Sequence, residues 1–252
     1  MNLKVSIITP MHNSERFIEE TISSVQNQEY KNWEMLIVDD CSSDKSIEIV
    51  EQIQSYDDRI KLFKNDVNLG AGLSRNIAIE KSSGDIIAFL DSDDIWFSNK
   101  LSLHLNYMNK KSSAFSHSSY GFIDENGKVI KSTYNVGNKS ITYYDLLKKT
   151  DISCLTAMYD VRKVGKMYMP SLRVGQDYAL WLDILKKGFK SDAFDVELAY
   201  YRQRNNSTTS NKFKLIKHHW YFLYHREKLS FFDSLYYTMN WAIRGFFKYY
   251  IK

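Results

Sequence analysis

The sequence predicts an α/β domain on a largely parallel sheet covered by helices on both faces. Strand-like and helix-like segments alternate through the first hundred residues, the strand-like segments are continuously apolar, and their far ends carry polar or acidic residues. Continuous apolar strands are buried on both faces, as in parallel sheets. Ligands of such sheets sit beyond the carboxyl ends of the strands.

Val5 to Thr9 reads as the first strand, stopped at Pro10, and Ser14 is placed to cap a helix in which Phe17, Ile18, Ile22 and Val25 recur at helical spacing. Glu34 to Val38 is the second strand and runs into Asp39-Asp40. Ser42 or Ser43 is expected to cap the helix carrying Ile47, Ile49, Val50 and Ile53. Ile60 to Phe63 makes a third strand, Gly70 to Lys81 a helix, and Asp85 to Leu90 a fourth strand ending at Asp91-Ser92-Asp93-Asp94. After a helix near 98–111 the pattern changes. Ala114–His117 and Gly121–Ser132 read as strands, the second broken by an Asn126-Gly127 turn. A helix from Tyr143 to Lys149, a strand around Leu155–Tyr159 and a helix from Gln176 to Lys187, closed at Gly188, complete the domain.

The 252 residues suffice for one large domain, or a domain with an appendage, and 44% hydrophobic residues support a sizeable core. Two prolines and ten glycines argue against linkers and low complexity. The two cysteines, Cys41 and Cys154, are far apart and outside any CxxC or Cys/His pattern, so structural zinc and a disulfide framework are not expected and a reducing cytosol is. The N-terminus does not read as a signal peptide, and no stretch approaches the roughly 20 apolar residues that span a bilayer. Residues 212–252 carry net +6 and fourteen of the 37 aromatics, whereas the rest of the chain is slightly acidic.

Asp91 and Asp93, at i and i+2 at the mouth of a buried strand, can share one divalent cation through hard oxygen ligands, a chemistry favoured by Mg²⁺ and Mn²⁺ with phosphate completing the shell. Alone, such an acidic loop is more often a solvated turn. Asp39-Asp40 can accept from a base N–H or a ribose hydroxyl, or face a helix N-terminus, and position alone does not choose. Asn68-Leu69-Gly70-Ala71-Gly72-Leu73-Ser74-Arg75 opens a helix with glycines that let a ligand approach and an arginine able to pair with a diphosphate; a turn with a surface arginine is the plainer reading. Asp177, near the N-terminus of its helix, suits a proton acceptor or an ordinary first-turn aspartate. Neither GxGxxG nor GxxxxGK[ST] is present, which argues against dinucleotide and P-loop sites.

In order and spacing, Val5 to Asn13, Val38 to Asp44, Asn68-Leu69-Gly70 with Arg75-Asn76, Asp91-Ser92-Asp93-Asp94 and Gly175-Gln176-Asp177-Tyr178 closely resemble family 2 glycosyltransferases of the GT-A fold. The resemblance covers roughly residues 3–207, and the detail around Gln176–Leu182 is similar to bacterial teichuronic acid and capsular polysaccharide enzymes. It implies a Rossmann-like nucleotide half over 1–100 and an acceptor half with mixed strands over 101–207, and composition leaves a basic, aromatic helical tail over 208–252. It implies that Pro10, Met11, Asp39 and Asp40 line a uridine pocket, that Asn68 and Arg75 help hold the nucleotide, and that Asp91 and Ser92 approach the ribose. Asp93, with Asp91, would hold Mn²⁺ or Mg²⁺, and Asp177 would be the general base of an inverting displacement.

Two departures stand out. Gln176 replaces the usual Glu, and Arg202-Gln203-Arg204-Asn205-Asn206-Ser207 replaces an Arg-x-His-x-x-Ser pattern. Arg204 cannot ligate a metal but could clamp a diphosphate, and Arg202 is grouped with it as a nucleotide-site residue.

The expected activity is transfer of a sugar from a nucleotide sugar, with UDP the expected carrier, to a lipid-linked glycan. The location expected is the cytoplasm, with the tail as a contact for the inner membrane face or as a helical pair packed on the domain. A catalytically silent nucleotide-binding scaffold is the alternative. A sugar nucleotidylyltransferase is disfavoured because Met11-His12-Asn13-Ser14 lacks its glycine-rich signature. Nucleic acid is not expected as a partner.

Overall fold

The computed structural model describes residues 2–204 and 212–250, without side-chain detail at 212–214 and 244–250. The chain forms two compact units, Met1–Ile141 with Ile152–Gln203, and Thr142–Asp151 with Arg204–Lys252.

The first unit holds the sheet. Its elements in order are β1 (Val5–Met11), α1 (Ile18–Gln26), β2 (Trp33–Asp39), α2 (Ser46–Gln54), β3 (Ile60–Lys64), α3 (Ala71–Lys81), β4 (Ile86–Phe89), β5 (Ile95–Trp96), α4 (Lys100–Lys111), β6 (Phe115–Ile123) and β7 (Val129–Tyr134). In the second unit lies α5 (Tyr143–Lys148), after which the first unit resumes with β8 (Met158–Asp160), α6 (Val161–Val164), α7 (Gln176–Lys186) and β9 (Ser191–Arg202). The strands run β3-β2-β1-β4-β8-β6-β9-β5, with β7 on β6. β3, β2, β1 and β4 are parallel, β8 runs against β4 and β6, and β9 runs parallel to β6 and against β5. All seven residues of β1 and of β2 are buried, as continuous apolar runs require.

From β1 the chain moves outward to β2 and β3, then returns through α3 to β4 on the other side of β1. That reversal opens a crevice at the carboxyl ends of β1 and β4.

Several local expectations change. Ser14 does not cap α1 with its hydroxyl: its carbonyl accepts from the N–H groups of Phe17 and Ile18, while its Oγ lies 2.7 Å from Ser92 Oγ. α2 begins at Ser46, whose N–H donates to Asp44 Oδ1 at 3.0 Å, so neither Ser42 nor Ser43 is its cap. Ala114–His117 and the start of Gly121–Ser132 are one nine-residue strand, β6, and Gly127, at φ +80°, lies in the link to β7. Cys154–Thr156 is a short 3₁₀ turn leading to β8.

β5 and β9 are strands that the sequence pattern did not signal. β5 has two residues, and β9 interrupts its apolar positions with acids that take partners far along the chain, Asp195 accepting from Ser119 at 2.6 Å and Asp192 from Ser140 at 2.6 Å. Trp181 of α7 is core: its ring packs 5.2 Å from both Phe89 and Phe115.

The second unit joins α5, α8 (Lys212–Tyr221), a π-helical turn Phe222–Arg226 and α9 (Phe231–Tyr250). Tyr143 donates its hydroxyl to Glu227 at 2.7 Å, and His219 stacks on Trp241 with centroids 4.4 Å apart. α9 turns Ser234 and Thr238 inward and exposes Phe232, Leu235, Tyr236, Met239 and Ile243. Among the described residues no helix is long and apolar enough to cross a membrane.

Candidate active site

A cleft of about 200 Å³ opens at the crevice. Pro10, Met11 and His12 from the end of β1, Asp40 after β2, Ala71 and Arg75 of α3, and Asp91, Ser92 and Asp93 after β4 line it. Seven of these nine come from the residues singled out in the sequence. His12 and Ala71 do not. His12 places Nδ1 2.8 Å from the Asp40 carbonyl, a contact the sequence signals only as adjacency to Met11.

The corner after β2 is a clasp. Asp40 Oδ1 accepts from Asn65 Nδ2 at 2.9 Å and from the Leu69 N–H at 2.7 Å, and Oδ2 accepts from the Gly70 N–H at 2.7 Å. Burial pushes this carboxyl up, but the bonds from Asn65, Leu69 and Gly70 outweigh it and hold the group below the ordinary carboxylate value. Asn68 donates its amide to the Asp40 carbonyl at 3.0 Å, so it secures the same turn. Gly70, at φ +84°, can adopt the conformation that starts α3 there. Asp39 is buried and accepts from the Ser42 N–H at 3.1 Å through Oδ2; its Oδ1 has no partner among the described residues.

The corner after β4 is held differently. Arg75 donates Nη2 to Asp91 Oδ1 and places Nη1 3.9 Å from Met169 Sδ, while its buried Nε lacks a partner among the described residues. Burial lowers the tendency of Arg75 to stay charged, but Asp91 more than restores it, so the guanidinium is a permanent cation in the cleft wall. Asp94 is buried, takes the Arg202 N–H on Oδ1 at 2.8 Å and has no partner for Oδ2 among the described residues. Burial, then Asp93 and Asp91, lift its carboxyl well above the ordinary value.

Asp177 sits in the first turn of α7, after Gly175 at φ +75°. α7 approaches α3 so closely that a Cβ on Gly72 would stand 2.9 Å from Gln176 Cγ and 3.2 Å from its Cβ. The carboxylate therefore belongs to the cleft's electrostatics. Partial burial lifts it above the ordinary value, Arg75 pulls it down, and Asp91 adds to the lift. Asn76 and Met169 exchange two hydrogen bonds, Nδ2 to O at 2.8 Å and N to Oδ1 at 2.7 Å, tying α3 to the segment ahead of α7.

Arg202 does not present its guanidinium to a nucleotide. It is buried, and its donors go to Glu20, to the Asp93 carbonyl and to the Asp124 and Glu125 carbonyls. Arg204 is exposed and belongs to the second unit, and Asn205, Asn206 and Ser207 lie outside the described residues.

Asp91 and Asp93 are hard oxygen donors of the kind that hold Mg²⁺ or Mn²⁺ through one or two carboxylates with phosphate and water completing the shell. Among the described residues no cluster of three His, Cys, Asp or Glu side chains could hold a metal by itself. Two carboxylates at one edge of the cleft suit a hard cation that also takes phosphate oxygens.

The sequence model described as glycosyl transferase family 2 matches residues 6–167. The chain is 41% identical over 238 residues to TuaG of Bacillus subtilis strain 168, named as a teichuronic acid biosynthesis glycosyltransferase, with 94% of each chain covered. It is 39% identical over 244 residues to WfgD of Escherichia coli, a UDP-Glc:α-D-GlcNAc-diphosphoundecaprenol β-1,3-glucosyltransferase, covering 96% of this chain and 93% of that one. Among solved structures, Staphylococcus aureus TarS 1–349 in complex with UDP superposes with a TM-score of 0.71 at 19% identity, covering 98% of this chain and 73% of that one. The mannosyltransferase PcManGT of Pyrobaculum calidifontis with GDP-Man and Mn²⁺ gives 0.61 at 14% identity, covering 97% and 75%. The architecture is that of GT-A glycosyltransferases.

Proposed function

The chain belongs to glycosyl transferase family 2, and on that premise we propose that it moves a sugar from a UDP-linked donor to a hydroxyl of a lipid-linked glycan during cell-surface polysaccharide synthesis, inverting the anomeric carbon. One observation carries this reading: the ends of β1, β2 and β4 and the start of α3 line one cleft, whose cation, Arg75, and carboxylate, Asp91, bear on the nearby Asp177. The relatives' named activities on UDP-Glc and on diphosphoundecaprenol-linked GlcNAc support the choice of donor and acceptor.

Pro10 and Met11 form the floor for the uracil ring, while Asp39, paired with Met11 at the end of β2, is buried and lies outside the residues that line the cleft. Arg75 lines the cleft and keeps a positive charge, paired with Asp91, beside the diphosphate. Asp177, lifted above the ordinary carboxylate value, takes the proton of the acceptor hydroxyl as that oxygen bonds the anomeric carbon and the carbon–phosphate oxygen bond breaks, the electron pair leaving with UDP. A divalent cation held by Asp93 and Asp91 would neutralise charge growing on the leaving diphosphate. The reaction is placed in the cytoplasm, at the inner membrane face. The outward apolar stripe of α9 and the net +6 of residues 212–252 support contact with an anionic lipid surface there. Sedimentation with anionic vesicles, lost on Phe232→Glu with Met239→Glu, checks that contact.

The experiment that tests the activity is calorimetric titration with UDP, GDP, dTDP and CDP, with and without Mn²⁺. Selective, Mn²⁺-enhanced binding of UDP is expected. Equal, weak binding of all four with no effect of metal overturns the reading.

A further inference from the structure

We infer that Arg202 and Glu20 are a positioning pair that sets the Asp93 carboxylate and thereby the affinity of the cleft for a divalent cation, an inference that rests on the proposed role of Asp93. The acidic loop Asp91–Asp94 bridges β4 and β5. It is fastened at Asp91 by Arg75, at Ser92 by Ser14 Oγ 2.7 Å away, and at the Asp94 carbonyl by Thr21 Oγ1 at 2.9 Å. Arg202 completes the set from the end of β9. Its Nε donates to the Asp93 carbonyl at 2.7 Å and its own N–H to Asp94 Oδ1 at 2.8 Å, so one residue grips both acids.

The guanidinium is fixed on every side. Nη2 donates to Glu20 Oε2 at 2.5 Å, Nη1 reaches the Asp124 carbonyl at 3.2 Å and the Glu125 carbonyl at 3.4 Å, and the Phe17 ring lies 5.0 Å below. A planar fork with several fixed donors sets a backbone position that a lysine ammonium does not reproduce. Glu20 differs from the rest of this cage. It lies on α1 with its side chain 54% exposed, while the Arg202 side chain is 1% exposed. The buried cation is therefore balanced by a surface carboxylate in the first turn of α1, outside the residues that line the cleft. Groups that orient a metal's ligands from behind in this way commonly govern its affinity.

The test is Mn²⁺ titration in the presence of saturating UDP, read by calorimetry and by the electron paramagnetic resonance of free Mn²⁺, for Glu20→Ala, Glu20→Gln, Arg202→Lys and Asp93→Ala. Glu20→Ala is expected to weaken Mn²⁺ about 10-fold, Arg202→Lys at least as much, and Glu20→Gln, which keeps an acceptor for Nη2, to recover most of the loss. UDP affinity without metal is expected to stay at the wild-type value, while the melting temperature of Glu20→Ala falls modestly because the buried Arg202 loses its counter-charge. Because Glu20 is half-exposed, its variants keep the test decisive even where Arg202→Lys fails to fold. Wild-type Mn²⁺ affinity in Glu20→Ala, alongside weakened affinity in Asp93→Ala, overturns the positioning pair alone. Wild-type affinity in Asp93→Ala overturns the role of Asp93 and the pair with it.

Discussion

Two acidic corners sit at the carboxyl ends of the parallel strands that flank β1, Asp39-Asp40 at the end of β2 and Asp91 to Asp94 after β4, and they are built to opposite ends. Asp40 spends its carboxylate on three donors from the turn before α3 and is held below the ordinary value. At the other corner, guanidinium groups grip Asp91 Oδ1 and the Asp93 carbonyl, the Arg202 backbone N–H holds Asp94 Oδ1, and the buried Asp94 carboxyl is pushed well above the ordinary value. The lesson is that an acidic pair at a strand end is read from its donors. Saturated by N–H groups, an acidic pair shapes a loop; held by guanidinium groups at a carboxylate and a backbone carbonyl, it is the corner to which the proposed function gives the metal.

The sharpest break in that comparison is a carboxylate belonging to neither corner. Asp177→Asn is expected to cut transfer about 10³-fold while leaving UDP affinity intact, measured as turnover against calorimetric binding. Full transfer in that variant moves the base to one of the corners. Next, the corners should fail differently. Asp93→Ala is expected to reduce Mn²⁺-dependent UDP binding about tenfold with little change in denaturation midpoint. Asp40→Ala is expected to cost about 2–3 kcal/mol in chemical denaturation, since it leaves the Leu69 and Gly70 N–H groups without their acceptor.

A smaller effect tests how the base is carried to the corners. Gly72→Ala puts a Cβ 2.9 Å from Gln176 Cγ and 3.2 Å from its Cβ, so the Gln176 side chain must rotate and the start of α7 must yield slightly. Turnover is expected to fall about tenfold with UDP binding preserved. The smallest effect is a pH dependence. The Asp40 pKa is depressed on folding, so its stabilisation is fully present above its unfolded value near 3.8 and is lost as pH falls through the lower folded value. The stability gap between wild type and Asp40→Asn should therefore close as pH is lowered below about 4 in denaturant titrations. A constant gap denies the clasp its charge.

The parallel half of the sheet was legible because its strands are buried on both faces and read as unbroken apolar runs. Pro10, Met11, Asp40, Arg75, Asp91, Ser92 and Asp93 were legible as neighbours for the same reason, since strand ends in such a sheet converge. β9 was not, because its acids are tied to Ser119 and Ser140 and break the pattern. Nor was the work of Ser14 and Arg202. Their partners, Ser92 and Asp93, lie 78 and 109 residues away, and no local period or motif encodes so distant a hydrogen bond. Arg202 was legible as a charged residue near a motif, and its burial reversed what that meant, from a ligand of phosphate to a support for the acids.

The most direct measurement is a crystal structure of the protein with UDP and Mn²⁺. Uracil against Pro10 and Met11, with the metal between Asp93 and the diphosphate and Asp40 still clasping Leu69 and Gly70, is the expected result. Nucleotide outside this cleft, or a metal held by Asp40 instead of Asp93, contradicts the division of labour between the two corners.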